Sequence, residues 1–124
     1  MTKGQALGRQ FSQALNRLKE ALKEKKTNLN RDAAIKRFEL AFDLSWKMIK
    51  ALLEEEGIPC ASPLGCFKEA YRQNLIDYEE IWIEMVKTRN KTVHTYDEEL
   101  AQEVYGKLPA FCEALQKLAL KRRK

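Results

Sequence analysis

The stretch Ile35-Lys36-Arg37-Phe38-Glu39-Leu40-Ala41-Phe42-Asp43-Leu44-Ser45-Trp46-Lys47-Met48-Ile49-Lys50-Ala51-Leu52 decides the fold. Ile35, Phe38, Phe42, Ser45, Ile49 and Leu52 recur at steps of three and four, the period of one helix face. Ala34, Ala41, Leu44, Trp46, Met48 and Leu53 widen that seam well beyond a single stripe. A face this wide buries two surfaces, and the second is expected to be a subunit interface. The helix is expected to begin at Asn30, a good N-cap, and to run to Glu56, with Gly57 as the stop and Pro59 beyond it.

The same periodicity extends in both directions. Upstream, a helix from about Gln5 to Lys26 carries Phe11, Leu15, Leu18 and Leu22 on one narrow stripe with charges opposite. Downstream, Ser62-Pro63 joins an N-cap to a proline at the first helical position, and opens a short helix to about Asn74. Asp77 with Glu80, and Thr95 with Glu98, have the spacing of capping boxes. They open helices to about Arg89 and Leu120, the last kinked or split at Pro109. The expectation is an all-α, up-and-down four-helix bundle with an additional short helix, homodimeric, in a single domain over residues 1–124 with a basic tail from about 120 to 124.

Composition agrees with one globular domain. Hydrophobic residues make up 44% and charged residues 33% of 124 positions, too apolar for a disordered chain. No apolar run is long enough to span a bilayer, and the first residues, Met1 to Gln5, lack the apolar stretch of a signal peptide. No membrane association and a cytoplasmic location are expected. Cys60, Cys66 and Cys112 match no zinc or redox spacing and are expected to be free thiols. The net charge of +5 is compatible with a polyanionic partner, but equally with solvated helix faces and a frayed Lys121-Arg122-Arg123-Lys124 tail.

Function is most legible in Arg89-Asn90-Lys91-Thr92-Val93-His94-Thr95-Tyr96, which holds the only histidine. Steps of four, three and four from Tyr78 through Trp82 and Met85 reach Arg89, so the guanidinium lies in line with an apolar face. A cation there needs a partner. One reading is an ion pair with Glu39 or Asp43; the other is a phosphate-binding group. His94 lies five residues on, and a continuous helix would swing it about 140° away. A turn of the chain before a new helix at Thr95 can bring it back, and Thr95 with the amides following it could then add to an anion site. Phosphodiester chemistry needs a base, an acid and a charge stabiliser, so one histidine per chain implies two chains with their segments facing each other. Clustered carboxylates with ligand spacing, a glycine-rich phosphate loop and a Ser-His-Asp set are absent, so neither a cofactor nor a metal is expected.

The pattern Arg89-Asn90-x3-His94-x-Tyr96 resembles the R-x4-H-x-Y signature of HEPN-domain toxins of the HepT type. Lys36 through Leu40, Phe42 through Lys47, Ser62-Pro63 and Trp82 through Glu98 are similar to nucleotidyltransferase substrate-binding proteins of the same superfamily. The resemblance implies a dimerising helical bundle encoded beside a small nucleotidyltransferase, which acts as its antitoxin-like partner. It implies a metal-independent endoribonuclease in which Arg89 stabilises a phosphorane-like transition state, His94 is acid or base, and Asn90 orients substrate or imidazole. Tyr96 would accept AMP, with Asp43, Glu39 and Thr95 as site support. Position 43 carries Asp where many relatives are expected to carry Glu. The alternative is a non-catalytic subunit that binds the nucleotide or substrate of a nucleotidyltransferase complex.

Overall fold

A computed structural model describes residues 1–77 and 79–122. Its helices are α1 (Lys3–Lys23), α2 (Asn28–Glu55), α3 (Pro63–Arg72), α4 (Glu80–Lys91) and α5 (Glu98–Arg122), with a 3₁₀ turn, Thr92–His94, between the last two. No strand occurs among the described residues. The all-α up-and-down bundle is therefore as expected. α1 and α2 form a long hairpin, α5 packs against both, α3 docks on α2, and α4 bridges α3 to α5.

Local chemistry sets the ends. Thr2 Oγ1 accepts from the Gln5 amide at 3.1 Å while Gln5 Oε1 accepts from the Thr2 amide at 3.0 Å, so a capping box starts α1 two residues ahead of the expected Gln5. Thr27, not Asn30, caps α2; the Asn30 side chain instead donates to the Lys25 carbonyl at 2.7 Å and closes the interhelical turn. At the other end Gly57, at φ +76°, lets Ile58 N–H reach the Leu53 carbonyl at 2.9 Å, a Schellman closure. Ser62 caps α3 and Pro63 opens it, as read from the sequence.

Two expected caps are corrected. Asp77 does not cap α4, which starts at Glu80 without a side-chain cap; its carboxylate pairs with Lys121 of α5. Thr95 does not cap α5. Asp97 accepts from the Leu100 amide at 3.2 Å, while the Thr95 hydroxyl donates to the Thr92 carbonyl at 3.0 Å. In both places a competing partner outranks the spacing rule. Pro109 lies inside one unbroken α5, so that helix is not split. The helix also continues two residues past Leu120. Arg122 lies over Gly8 and donates to Ser12 at 3.4 Å, so Lys121 and Arg122 are docked and not frayed; Arg123 and Lys124 lie outside the described residues, as does Tyr78.

The cysteine expectation is also corrected. Cys60 and Cys66 form a disulfide with Cα atoms 5.1 Å apart, because the chain doubles back from the end of α2 into the first turns of α3. Cys112 alone is free, and burial pushes its thiol above the usual range.

The core is an aromatic chain. Phe111 of α5 stacks on Phe38 of α2 at 5.4 Å between centroids, and Phe38 neighbours Phe42. Phe42 meets Phe67 of α3 edge-on, and Phe67 packs on Trp82 of α4 at 4.7 Å. Through Phe67 of α3 this chain ties α4 to α2, two turns before Arg89. The outer part of the wide α2 face stays open: Leu40 is 48% exposed, and Leu44 and Trp46 are half-buried.

Candidate functional site

Arg89 leaves the inner face of α4 toward α2. Its Nε donates to Asp43 Oδ1 at 3.3 Å and its Nη2 to Asp43 Oδ2 at 3.2 Å, a bidentate fork. Nη1 lies 3.5 Å from Glu39 Oε2 and donates to Thr92 Oγ1 at 3.1 Å. Asp43 and Glu39 sit one turn apart on α2, so both carboxylates face the same cation. The expected partner of Arg89 is thus both named carboxylates together. The Arg89 side chain as a whole remains 24% exposed, with all three guanidinium nitrogens engaged.

Thr92 is the residue that sequence reading missed. It is 4% exposed and its hydroxyl donates to the Arg89 carbonyl at 2.7 Å while accepting from the Arg89 side chain. This exchange ends α4 and tightens the chain into the 3₁₀ turn. Its position three residues after an arginine on a helix was the available signal.

The turn releases His94 and Tyr96 outward. His94 is exposed, and Tyr96 is 85% exposed. The Tyr96 hydroxyl lies 3.4 Å from His94 Nδ1, and the rings meet edge-on with centroids 5.9 Å apart. Asn90 is exposed, and its side chain makes no hydrogen bond among the described residues. The candidate residues therefore form two groups on one junction: Arg89 with Asp43, Glu39 and Thr92, and His94 with Tyr96. Among the described residues no direct hydrogen bond joins them.

The expected anion site at the start of α5 is filled by the protein itself. Asp97 caps it, and Glu98 and Glu99 occupy its first turn, so the macrodipole is already matched by carboxylates. Glu98 pairs with Arg31 of α2, a cation only 3% exposed that also contacts Asp32. The Arg31 guanidinium holds the Glu98 carboxyl below its usual range. This pair clamps the start of α5, and with it the turn before, to the first turn of α2. A lone arginine in a polar stretch of sequence carried no signal for it.

Comparison with known proteins follows the same architecture. The model of the family described as "Nucleotidyltransferase substrate binding protein like" matches residues 8–124. A Haemophilus influenzae protein named "Probable ribonuclease HepT" is 36% identical over 84 residues, 63% of this chain; the match spans 57% of the relative's own length. A crystal structure of a Thermus thermophilus protein superposes with a TM-score of 0.86 at 36% identity, over 92% of this chain and 99% of the other. A Haemophilus influenzae structure, described as revealing the fold of a substrate binding domain of a nucleotidyltransferase, superposes with a TM-score of 0.74 at 25% identity, over 98% and 97% of the two chains.

Proposed function

Because the chain belongs to the nucleotidyltransferase substrate binding protein-like family, we propose that it is the HEPN-type partner of a small nucleotidyltransferase and, as a homodimer, a metal-independent endoribonuclease. The observation that carries this reading is the placement of Arg89: fixed by Asp43 and Glu39 at the junction from which His94 and Tyr96 emerge. A ribose 2′-hydroxyl attacks the adjacent phosphorus, its oxygen forming the new bond as the 5′-oxygen of the next nucleotide leaves. One His94 imidazole accepts the 2′-proton and the other protonates the leaving oxygen, which is why two chains are needed. The Arg89 guanidinium, exchanging part of its carboxylate pairing for the phosphate, stabilises the charge that builds on the phosphoryl oxygens, and Asn90 orients the substrate.

Neutralisation would use the same junction. The Tyr96 oxygen attacks the α-phosphorus of ATP on the nucleotidyltransferase, AMP is transferred and pyrophosphate leaves. His94 Nδ1, 3.4 Å away, would receive the phenolic proton. The exposure of Tyr96 supports access by a second enzyme. An added phosphate and adenosine would then cover the site and compete for the Arg89 guanidinium.

A second reading, a non-catalytic nucleotide- or substrate-binding subunit, is favoured by one observation: two carboxylates already face Arg89. Purified protein incubated with RNA in chelator separates the two. The ribonuclease reading predicts cleavage that is reduced about a hundredfold or more in His94→Ala and Arg89→Ala variants of unchanged helical content. RNA left intact by the wild type favours the second. For Tyr96, the expected result with the nucleotidyltransferase and ATP is a mass gain of one AMP that Tyr96→Phe abolishes; a gain that survives the substitution removes Tyr96 as acceptor.

A further inference from the structure

Asp43, Lys47, Lys50 and Glu54 follow one another on α2 at steps of four, three and four, and so share one helix face. That face carries the Arg89 carboxylate at one end. About 6 and 10 Å further along the axis it presents Lys47 and Lys50. There it borders a groove of about 240 Å³ between the end of α2 and the start of α1, lined by Lys3, Leu7, Trp46, Lys47, Lys50 and Glu54. Close helix contact shapes the groove: a Cβ on Gly4 would lie 2.8 Å from Leu52 Cδ2, so α1 and α2 touch beside it.

Its chemistry is specific. Trp46 is half-buried and, among the described residues, no aromatic ring packs on it. Three lysines line the groove with Trp46 against one lining carboxylate, Glu54, which lies 3.9 Å from Lys50, while Glu55 beside it accepts from the Gly4 amide; Lys3 and Lys47 are exposed and have no salt-bridge partner among the described residues. An apolar wall, an aromatic face and an excess of ammonium groups are the parts of a single-strand nucleic-acid platform, where bases stack and phosphates pair.

We propose that this groove is a substrate subsite that holds a nucleotide of single-stranded RNA flanking the scissile phosphate, its base against Trp46 and its phosphates on Lys3, Lys47 and Lys50. The assignment rests on the ribonuclease reading above and supplies what that reading lacks, a cationic track outside a junction whose arginine is already paired. The groove reads a π-face and a phosphate, so it favours single strands over duplex and ranks sequences weakly.

The test uses a fluorescein-labelled 2′-O-methyl RNA dodecamer, which keeps bases and phosphates but has no free 2′-hydroxyl to attack. Binding to the full protein is followed by anisotropy and by quenching of tryptophan emission. Trp82 is only 2% exposed, so quenching reports on Trp46. The expected results are salt-dependent binding with quenching by the wild type and about tenfold weaker binding by Trp46→Ala. For Lys47→Glu/Lys50→Glu the slope of log affinity against log salt should fall by about 1.4. The lysine pair is on the surface, so that variant keeps the test valid if Trp46→Ala misfolds. Equal affinity and salt slope in the lysine variant overturn the subsite. So does a variant that loses its nucleotidyltransferase partner, or becomes monomeric, while RNA binding is unchanged, which makes the groove a protein-docking surface. Failure of the ribonuclease reading is seen separately, as unmodified RNA left intact by the wild type in chelator or as cleavage that survives His94→Ala.

Discussion

Arg31 and Arg89 show how a single side chain acquires a role from its partners. Both meet two carboxylates, yet Arg31, on α2, ties helix ends together and Arg89, on α4, stands at a solvent-facing junction. The Arg31 pair makes a pH prediction. Its Glu98 partner has a folded-state pKa below the ordinary value, so its contribution is fully present above the usual carboxylate range of about 4.3 and is lost as pH falls through the lowered value. Glu98→Gln should therefore melt below the wild type at neutral pH, with the gap closing on acidification. Thermal scans from pH 7 downward check this, and a gap that widens in acid would contradict it. Arg89 was legible because it broke an apolar stripe. Arg31 was not, because nothing in Asn30-Arg31-Asp32 marks a position that a distant helix start will cover.

At the level of elements, helix existence was legible throughout and helix ends only in part. Ser62-Pro63 and Gly57 were read correctly because their chemistry is local: a hydroxyl cap, a fixed φ and a left-handed C-terminal residue. Asp77 and Thr95 were misread because their side chains found other partners, Lys121 and the Thr92 carbonyl. Gly57 gives a clean prediction. A Cβ there would meet nothing within 4 Å, so Gly57→Ala tests the backbone conformation alone. It should cost about 1 kcal/mol in urea unfolding with an unchanged m-value. The Cys60–Cys66 bridge was illegible for the opposite reason: six residues of spacing say nothing until the turn between α2 and α3 brings the sulfurs together.

The whole molecule is organised around the aromatic chain from Phe111 to Trp82, in which Phe38, wholly buried, joins α5 to α2. Phe38→Ala should destabilise the protein by about 3–5 kcal/mol, measured by denaturant unfolding, because the void opens in the fully buried seam between α2 and α5. Phe38 also braces Phe42, which leads through Phe67 to Trp82 of α4, so under the proposed ribonuclease reading the same variant should lose more RNA cleavage than its residual folded fraction explains. By itself the sequence determined the all-α class, the amphipathic faces and the residues of the Arg89–Tyr96 segment, since periodicity and residue type are local properties. Only the tertiary structure decided that Asp43 and Glu39 share Arg89, that Arg31 clamps the start of α5, and that Trp46 and three lysines border one groove. Those relations join residues that are far apart in the chain, and they exist only once side-chain packing has set the distances between helices.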